Sequence, residues 1–189
     1  MYVYRSARLI QVCARRTNMG GKMNTDPARH DFTLTWTLDA PREQVFRAWT
    51  DAEHLGWYYN DQQPIPDEPI KVDLRVGGVW RQRMVIDDTT NFVTGGIYRE
   101  IVEDERLVFT WGATDGWPKI DPERLDESPL VTVTLSQISG KTEMTVHVEL
   151  PASISEAEVH DLLSLGIQNG WHDTVDRLAA KFASTSVTA

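Results

Sequence analysis

Between Ile70 and Leu150 one pattern recurs six times: a run with a period of two, then a turn. The runs are "IKVDLRV", "VWRQRMVI", "NFVTGGIYREIV", "ERLVFTW", "LVTVTLSQI" and "TEMTVHVEL". A period of two marks half-buried strands. Most of the separators are short: Gly77-Gly78, Asp87-Asp88, the acidic turn "EDE" and Ser139-Gly140-Lys141. Such turns cannot hold crossover helices, so neighbouring strands pair antiparallel. The one long interruption is the irregular segment from Gly112 to Pro129. A curved antiparallel sheet needs one face covered. The only element large enough is the C-terminal segment "SEAEVHDLLSLGIQNGWHDTVDRLAAKFA", predicted as one long helix. Ser155 and Glu158 form a capping box at its start.

The chain before the sheet is equally readable. "HDFTLTWTLD" places Phe32, Leu34, Trp36 and Leu38 on one strand face. Pro41 suits the first turn of a helix, and Val45, Phe46 and Trp49 follow at helical spacing. Thr50 and Glu53 predict a restart into a second short helix, "DAEHLG", ended by Gly56. The fold class is therefore α+β: a curved antiparallel sheet wrapped around a long C-terminal helix, with two short helices after the first strand.

The last helix carries an apolar stripe of Val159, Leu162, Leu163, Ile167, Trp171, Val175, Leu178 and Phe182. Gly166 and Gly170 fall on that stripe, and an interior glycine costs about 1 kcal/mol relative to alanine. Either the glycines let the helix press against its neighbours, or they leave volume between helix and sheet. Trp57, Trp80, Trp111 and Trp171, four of seven tryptophans, favour the second account, since large rings around missing side chains describe a cavity wall. Trp80, Met84 and Ile86 share one parity, with Gln82 among them; Gln82 would then be a polar group needing a partner, unless a bulge at Gly77-Gly78 moves it. Leu107, Phe109 and Trp111 share a face, as do Val131, Val133, Leu135, Met144, Val146 and Val148. Thr132, Thr134, Thr145, His147 and Glu149 are expected to face water. Around Gly95-Gly96 two parities compete: Ile97, Arg99 and Ile101, or Tyr98 with its neighbours.

Charge narrows the partners. Residues 1–23 carry five basic residues and no acid; the remaining 14 basic residues stand against 28 acids, a body of about −14. That disfavours nucleic acid and anionic membrane, both of which need a positive face. No apolar run reaches the ~20 residues of a membrane span, so no membrane insertion is expected. The single Cys13 cannot close an internal disulfide and fits a reducing, cytoplasmic setting. Residues 1–25 are expected to be a disordered basic extension, with a transit peptide as the competing account and Met19 or Met23 as alternative starts. The domain is expected over 26–184, and 185–189 as a tail.

From about Asp31 to Phe182 the chain resembles the START-like (SRPBCC) superfamily, closest to the branch named for the activator of the heat-shock-protein-90 ATPase. The resemblance rests on the order and spacing of "APREQVFRAWTDAEHLGWY", "VGGVWRQRMV", "GGIYREIVEDERLVFTW", "VTVTL" and "NGWHDTVDRLAAKF". It implies a helix-grip fold with a cavity between sheet and helix, and places Trp57, Tyr58 and Tyr59 at the cavity mouth or lid. Superfamily members carry lipids, sense hormones or cyclise polyketides, so function has to come from the site.

The chemistry of catalysis is thin. No Ser/Cys–His–acid set, phosphate-cradling glycine loop or metal motif is evident, and neither a cofactor nor a metal is expected. His160 and His172 lie about 120° apart on one predicted helix and cannot share a metal. His54, His160 and His172 sit beside acids and read as solvated. An enzyme would need an acid or base inside, for which Gln82, Tyr98 and Arg99 are the candidates, none with a paired carboxylate. The leading expectation is binding of a small apolar or aromatic ligand by Trp57, Tyr58, Trp80, Gln82, Met84, Tyr98, Trp111, Leu163, Ile167 and Trp171. A cofactor-independent cyclase or hydratase using the same cavity comes second. A chaperone-interacting regulator comes last, because the domain stands alone. A weak homodimer is left open.

Overall fold

The six alternating runs form strands of a single nine-stranded antiparallel sheet. The structure, a computed structural model, describes residues 22–26, 30–60, 62–87, 89–113, 123–164 and 166–185. In chain order the strands are β1 (Lys22–Asp26), β2 (Asp31–Leu38), β3 (Lys71–Val72), β4 (Val79–Asp87), β5 (Thr90–Val102), β6 (Arg106–Thr110), β7 (Gly112–Ala113), β8 (Leu130–Ile138) and β9 (Lys141–Glu149). They lie side by side as β1-β2-β9-β8-β6-β5-β4-β3, with β7 also beside β5. The helices are α1 (Arg42–Thr50), α2 (Glu156–Ser164) and α3 (Ile167–Thr185). This is the helix-grip arrangement: one curved sheet whose inner face is closed by the C-terminal helices.

Strand parity follows the sequence closely. Phe32, Leu34, Trp36 and Leu38 are buried, as are Val131, Val133, Leu135, Met144, Val146 and Val148. Thr132 departs from expectation. It points outward but is buried, because Val108 and His147 stand opposite it on the flanking strands. Around Gly95-Gly96 both competing readings are partly right. A bulge at Arg99 separates the pairs Tyr98↔Phe109 and Glu100↔Val108, and Ile101 then faces Leu107. An extra residue in one strand resets its alternation, so Tyr98 and Ile101 both pack on the core while Arg99 stays exposed.

Four boundaries differ from those expected. Lys22–Asp26, of which four residues fall in the extension expected over 1–25, is an edge strand paired with β2 from Lys22↔Thr35 to Asp26↔Asp31. "KMNTD" has no apolar alternation to reveal it; residues 1–21 lie outside the described residues. "IKVDLRV" shortens to Lys71–Val72, since Asp73 N–H donates to Val79 O and Gly78 N–H to Arg75 O, turning the chain early. The short helix "DAEHLG" becomes a turn and a 3-10 helix over Leu55–Tyr58. Asp51 rather than Thr50 caps that turn, accepting from Glu53 N–H at 3.0 Å, while Thr50 Oγ1 donates back to Phe46 O. At the C-terminus, Thr185 belongs to α3 and not to the tail.

The predicted long helix is two helices. Gly166 adopts φ +86°, a left-handed backbone that ends α2 after Ser164 and lets α3 begin at Ile167. Gly166 is therefore a hinge residue rather than a gap in a continuous stripe, whereas Gly170 does lie within α3. The stripe itself holds: Val159, Ile167, Trp171, Val175, Leu178 and Phe182 are buried, with Leu162 and Leu163 packed against them.

The capping box forms as read. Ser155 N–H and Oγ both bond Glu158 Oε2, at 2.9 and 2.8 Å, and Glu158 N–H donates to Ser155 Oγ. These bonds from Ser155, the backbone one first, hold the Glu158 carboxyl below its ordinary value of 4.5. A lowered folded pKa means the cap stabilises at pH values above 4.5 and is lost as pH falls through the folded value. Amide exchange in the first turn of α2, corrected for intrinsic rates, should therefore accelerate below pH 4.5 in the wild type. In Ser155→Ala it should already be fast at neutral pH. Equal exchange in the two proteins at pH 7 would mean that the box contributes nothing.

Candidate functional site

Three rings follow the turn after α1. Trp57 and Tyr58 are buried, and Tyr59 is half-buried. Trp57 and Tyr58 stack at 4.1 Å between centroids, and Trp49 meets them edge-on at 4.8 and 6.2 Å. Trp57 Nε1 donates to Ala48 O at 2.8 Å. From α3, Arg177 Nε donates to Trp57 O at 3.0 Å and Nη2 to Tyr58 O at 2.9 Å. The resemblance implied mouth or lid residues. Trp57 and Tyr58 form a buried wall of rings, with their carbonyls bonded by Arg177 of α3.

That wall continues onto the sheet. Tyr58 meets Trp80 of β4 at 5.4 Å; Trp80 lies edge-on to Phe109 at 5.9 Å, and Phe109 to Tyr98 at 6.4 Å. Burial pushes both phenols up, and for Tyr58 the neighbouring Tyr98 adds to the effect. Both hydroxyls are therefore neutral at physiological pH. Trp80, Gln82 and Met84 share the inner face, while Arg81 is exposed and Arg83 bonds Glu68 and Asn91 on the outside. The β4–β5 register runs unbroken from Val79↔Ile97 to Val85↔Asn91, so no bulge turns Gln82 away.

Gln82 is only 2 % exposed. Its Nε2 donates to Met84 Sδ at 3.0 Å, and its Oε1 has no partner. Two more buried polar atoms lack partners nearby in the topology. Trp171 Nε1 is one, on α3, whose ring meets Trp111 at 5.3 Å. Ser128 Oγ is the other; it precedes Pro129, whose carbonyl accepts from Trp111 N–H. Gln82 faces Thr94, and Thr94 Oγ1 donates to Gly112 O, next to Trp111. Gln82 and Trp171 are thus linked through Thr94, Gly112 and Trp111, and Ser128 adjoins Pro129 beside Trp111; His54 Nδ1, Gln63 Nε2 and Asp176 Oδ2 also lack a hydrogen-bond partner among the buried side-chain atoms.

The expected site residues therefore fall into two groups. Tyr58, Trp80 and Tyr98 join one ring cluster through Phe109, with Trp57 stacked behind and Gln82 and Met84 alongside on β4. Trp111 and Trp171 form the second, near Ile167, which is buried, and Leu163, which is partly so. Arg99, a candidate acid–base residue, is exposed and leaves the set.

One constellation was missed. His172, read as solvated, is 9 % exposed and Asp176 is 5 %. His172 Nδ1 stands 3.2 Å from Asp176 Oδ2, and Trp36 Nε1 donates to Asp176 Oδ1 at 2.7 Å. The Trp36 and His172 rings are 5.5 Å apart. The signal was present: His172 and Asp176 are four apart and each directly follows a stripe residue, Trp171 or Val175, so a wider buried face takes in both. Among the described residues no three His, Cys, Asp or Glu side chains gather to hold a metal ion, and no helix is long and apolar enough to cross a membrane.

Residues 39–183 match the family model described as activator of Hsp90 ATPase homolog 1-like protein. The chain belongs to that family. Its fold recurs in protein Ms6760 from Mycobacterium smegmatis, at 18% identity and TM-score 0.70, covering 87% of this chain and 98% of that one. A protein from Arthrobacter aurescens matches at 20% identity and TM-score 0.69 over 86% and 91% of the two chains. Protein CV1439 from Chromobacterium violaceum matches at 24% identity and TM-score 0.59 over 81% and 96%. At such identities the likeness concerns the fold alone. No functionally curated protein matches the chain significantly.

Proposed function

We propose that this family member binds a small apolar or aromatic molecule between the inner sheet face and the C-terminal helices. Gln82 carries the reading. A buried amide oxygen without a partner costs about 1–3 kcal/mol, and a chain keeps such a group where something supplies the missing donor. Around it the surfaces are rings and a thioether, suited to a flat apolar body. The single cysteine supports a reducing compartment as the setting. A second reading, a cofactor-independent cyclase or hydratase in the same space, draws support from the buried His172–Asp176 pair, since an imidazole against a carboxylate is an acid–base set. Product analysis with candidate substrates separates the two. A chaperone partner is supported by the family description alone.

The binding reading is tested with Nile red, a neutral apolar dye, titrated into the folded protein. The expected result is a saturable, one-site rise in emission, reversed by excess naphthalene. A flat or non-saturating response would remove the proposal.

A further inference from the structure

We infer that the molecule held here is neutral and aromatic and bears a hydroxyl or carboxamide that both donates and accepts a hydrogen bond; this rests on the binding reading above. Three observations converge. The first is the polarity of the orphaned atoms. Gln82 Nε2 gives one of its hydrogens to Met84 Sδ, while Oε1 has no partner and is an acceptor that needs a donor. Trp171 Nε1 is a donor and needs an acceptor, and Ser128 Oγ serves as either. A pure hydrocarbon would leave all three unpaired.

The second observation excludes the common alternative, an anionic ligand such as a fatty acid. Among the described residues the buried polar side chains are Thr50, Gln82, Thr94, Thr110, Ser128, Thr132, Thr142, His172 and Asp176. None is a lysine or arginine. The single buried imidazole, His172, already faces the Asp176 carboxylate, and Arg177 is spent on the carbonyls of Trp57 and Tyr58. A buried carboxylate without a cation or several donors is strongly disfavoured. The net charge of −9 repels anions at longer range.

The third observation is shape. Trp111 and Trp171 meet edge-on at 70°, and Tyr58, Trp80 and Phe109 present tilted and edge-on faces. Rings so disposed offer π-faces and edges to a flat aromatic body rather than a round channel for a chain.

The test is calorimetric titration of four matched probes at neutral pH: naphthalene, 2-naphthol, 2-naphthamide and 2-naphthoate. Naphthol and naphthamide should bind about tenfold tighter than naphthalene, the worth of a hydrogen bond to an otherwise orphaned buried group. Naphthoate should bind at least about tenfold more weakly than naphthamide, as a charge left unpaired requires. In Gln82→Met, which keeps the side-chain length and removes the acceptor, naphthol should fall to the level of naphthalene. Should Gln82→Met not fold, Trp171→Phe removes the donor and should take away the naphthamide advantage instead. Naphthoate binding as well as naphthamide, or an advantage that survives these substitutions, overturns the inference while leaving ligand binding intact. Binding of none of the four, with no saturable Nile red signal, removes the binding reading and the inference together.

Discussion

Gly96→Ala is expected to lower the melting temperature by about 6–12 °C, the equivalent of at least about 3 kcal/mol in a chain this size. Gly96 lies opposite Trp80 in the β4–β5 ladder. A Cβ there would stand 1.9 Å from Thr110 O and 2.6 Å from Trp80 Nε1. Thr110 O is backbone in the neighbouring strand and cannot swing aside as a flexible side chain would. Either the strands part or the Trp80 ring leaves its seat between Tyr58 and Phe109. Gly56→Ala is the control, since nothing lies within 4 Å of its added methyl. It should change stability by less than about 1 kcal/mol. Equal melting temperatures for the two variants would show that the close approach at Gly96 is not real.

Arg177→Met should cost about 2–4 kcal/mol and alter the near-ultraviolet circular dichroism of the aromatic wall. The guanidinium bonds the carbonyls of Trp57 and Tyr58 and also Asp173 O and Thr174 Oγ1. Removing it strands two carbonyls beside buried rings, each at about 1–3 kcal/mol, less what water recovers. Arg177→Lys keeps the charge but not the planar fork that reaches both oxygens at once. It should recover less than half of the loss. Urea melts of the three proteins measure this, and wild-type stability in Arg177→Lys would mean that charge, not geometry, holds the segment.

What the sequence disclosed, and what it hid, has a physical pattern. Strand faces were legible wherever one side is buried, because a slip of one residue would turn Phe32, Leu34, Trp36 and Leu38 outward. The turn at Ser139-Gly140 was legible because it needs φ values of 51° and 81°, and glycine suits the second. Hidden features were those that depend on pairing across the chain. Strand β1 exists through backbone bonds to β2, the Arg99 bulge through its register with β6, and the cap on Asp51 through competition with Thr50. Gly166 looked like an interior glycine because apolar spacing continues across the break from Leu163 to Ile167. The burial of Trp80 and Trp171 could be read from strand parity and helical spacing. The state of Gln82 could not, since an unpartnered oxygen is known only when every neighbour has been placed. His172 and Asp176 were hidden by an assumption that charge means exposure.

The strand order also bears on how the chain is made. β2 is among the first strands synthesised, yet one of its partners is β9, with Asp31 opposite Glu149. At about 5–20 residues per second, several seconds pass on the ribosome before that partner emerges. Throughout that interval the row from Phe32 to Leu38 has only β1 beside it and no helix over it. α3 is later still, and Asp176, which receives the indole of Trp36, lies in it. Local hairpins such as β8–β9 form as they appear, but the grip closes only after release of the last helix. Until β9 emerges, the row from Phe32 to Leu38 lacks one of its two partner strands, the kind of unpaired strand edge that makes a nascent chain prone to aggregate.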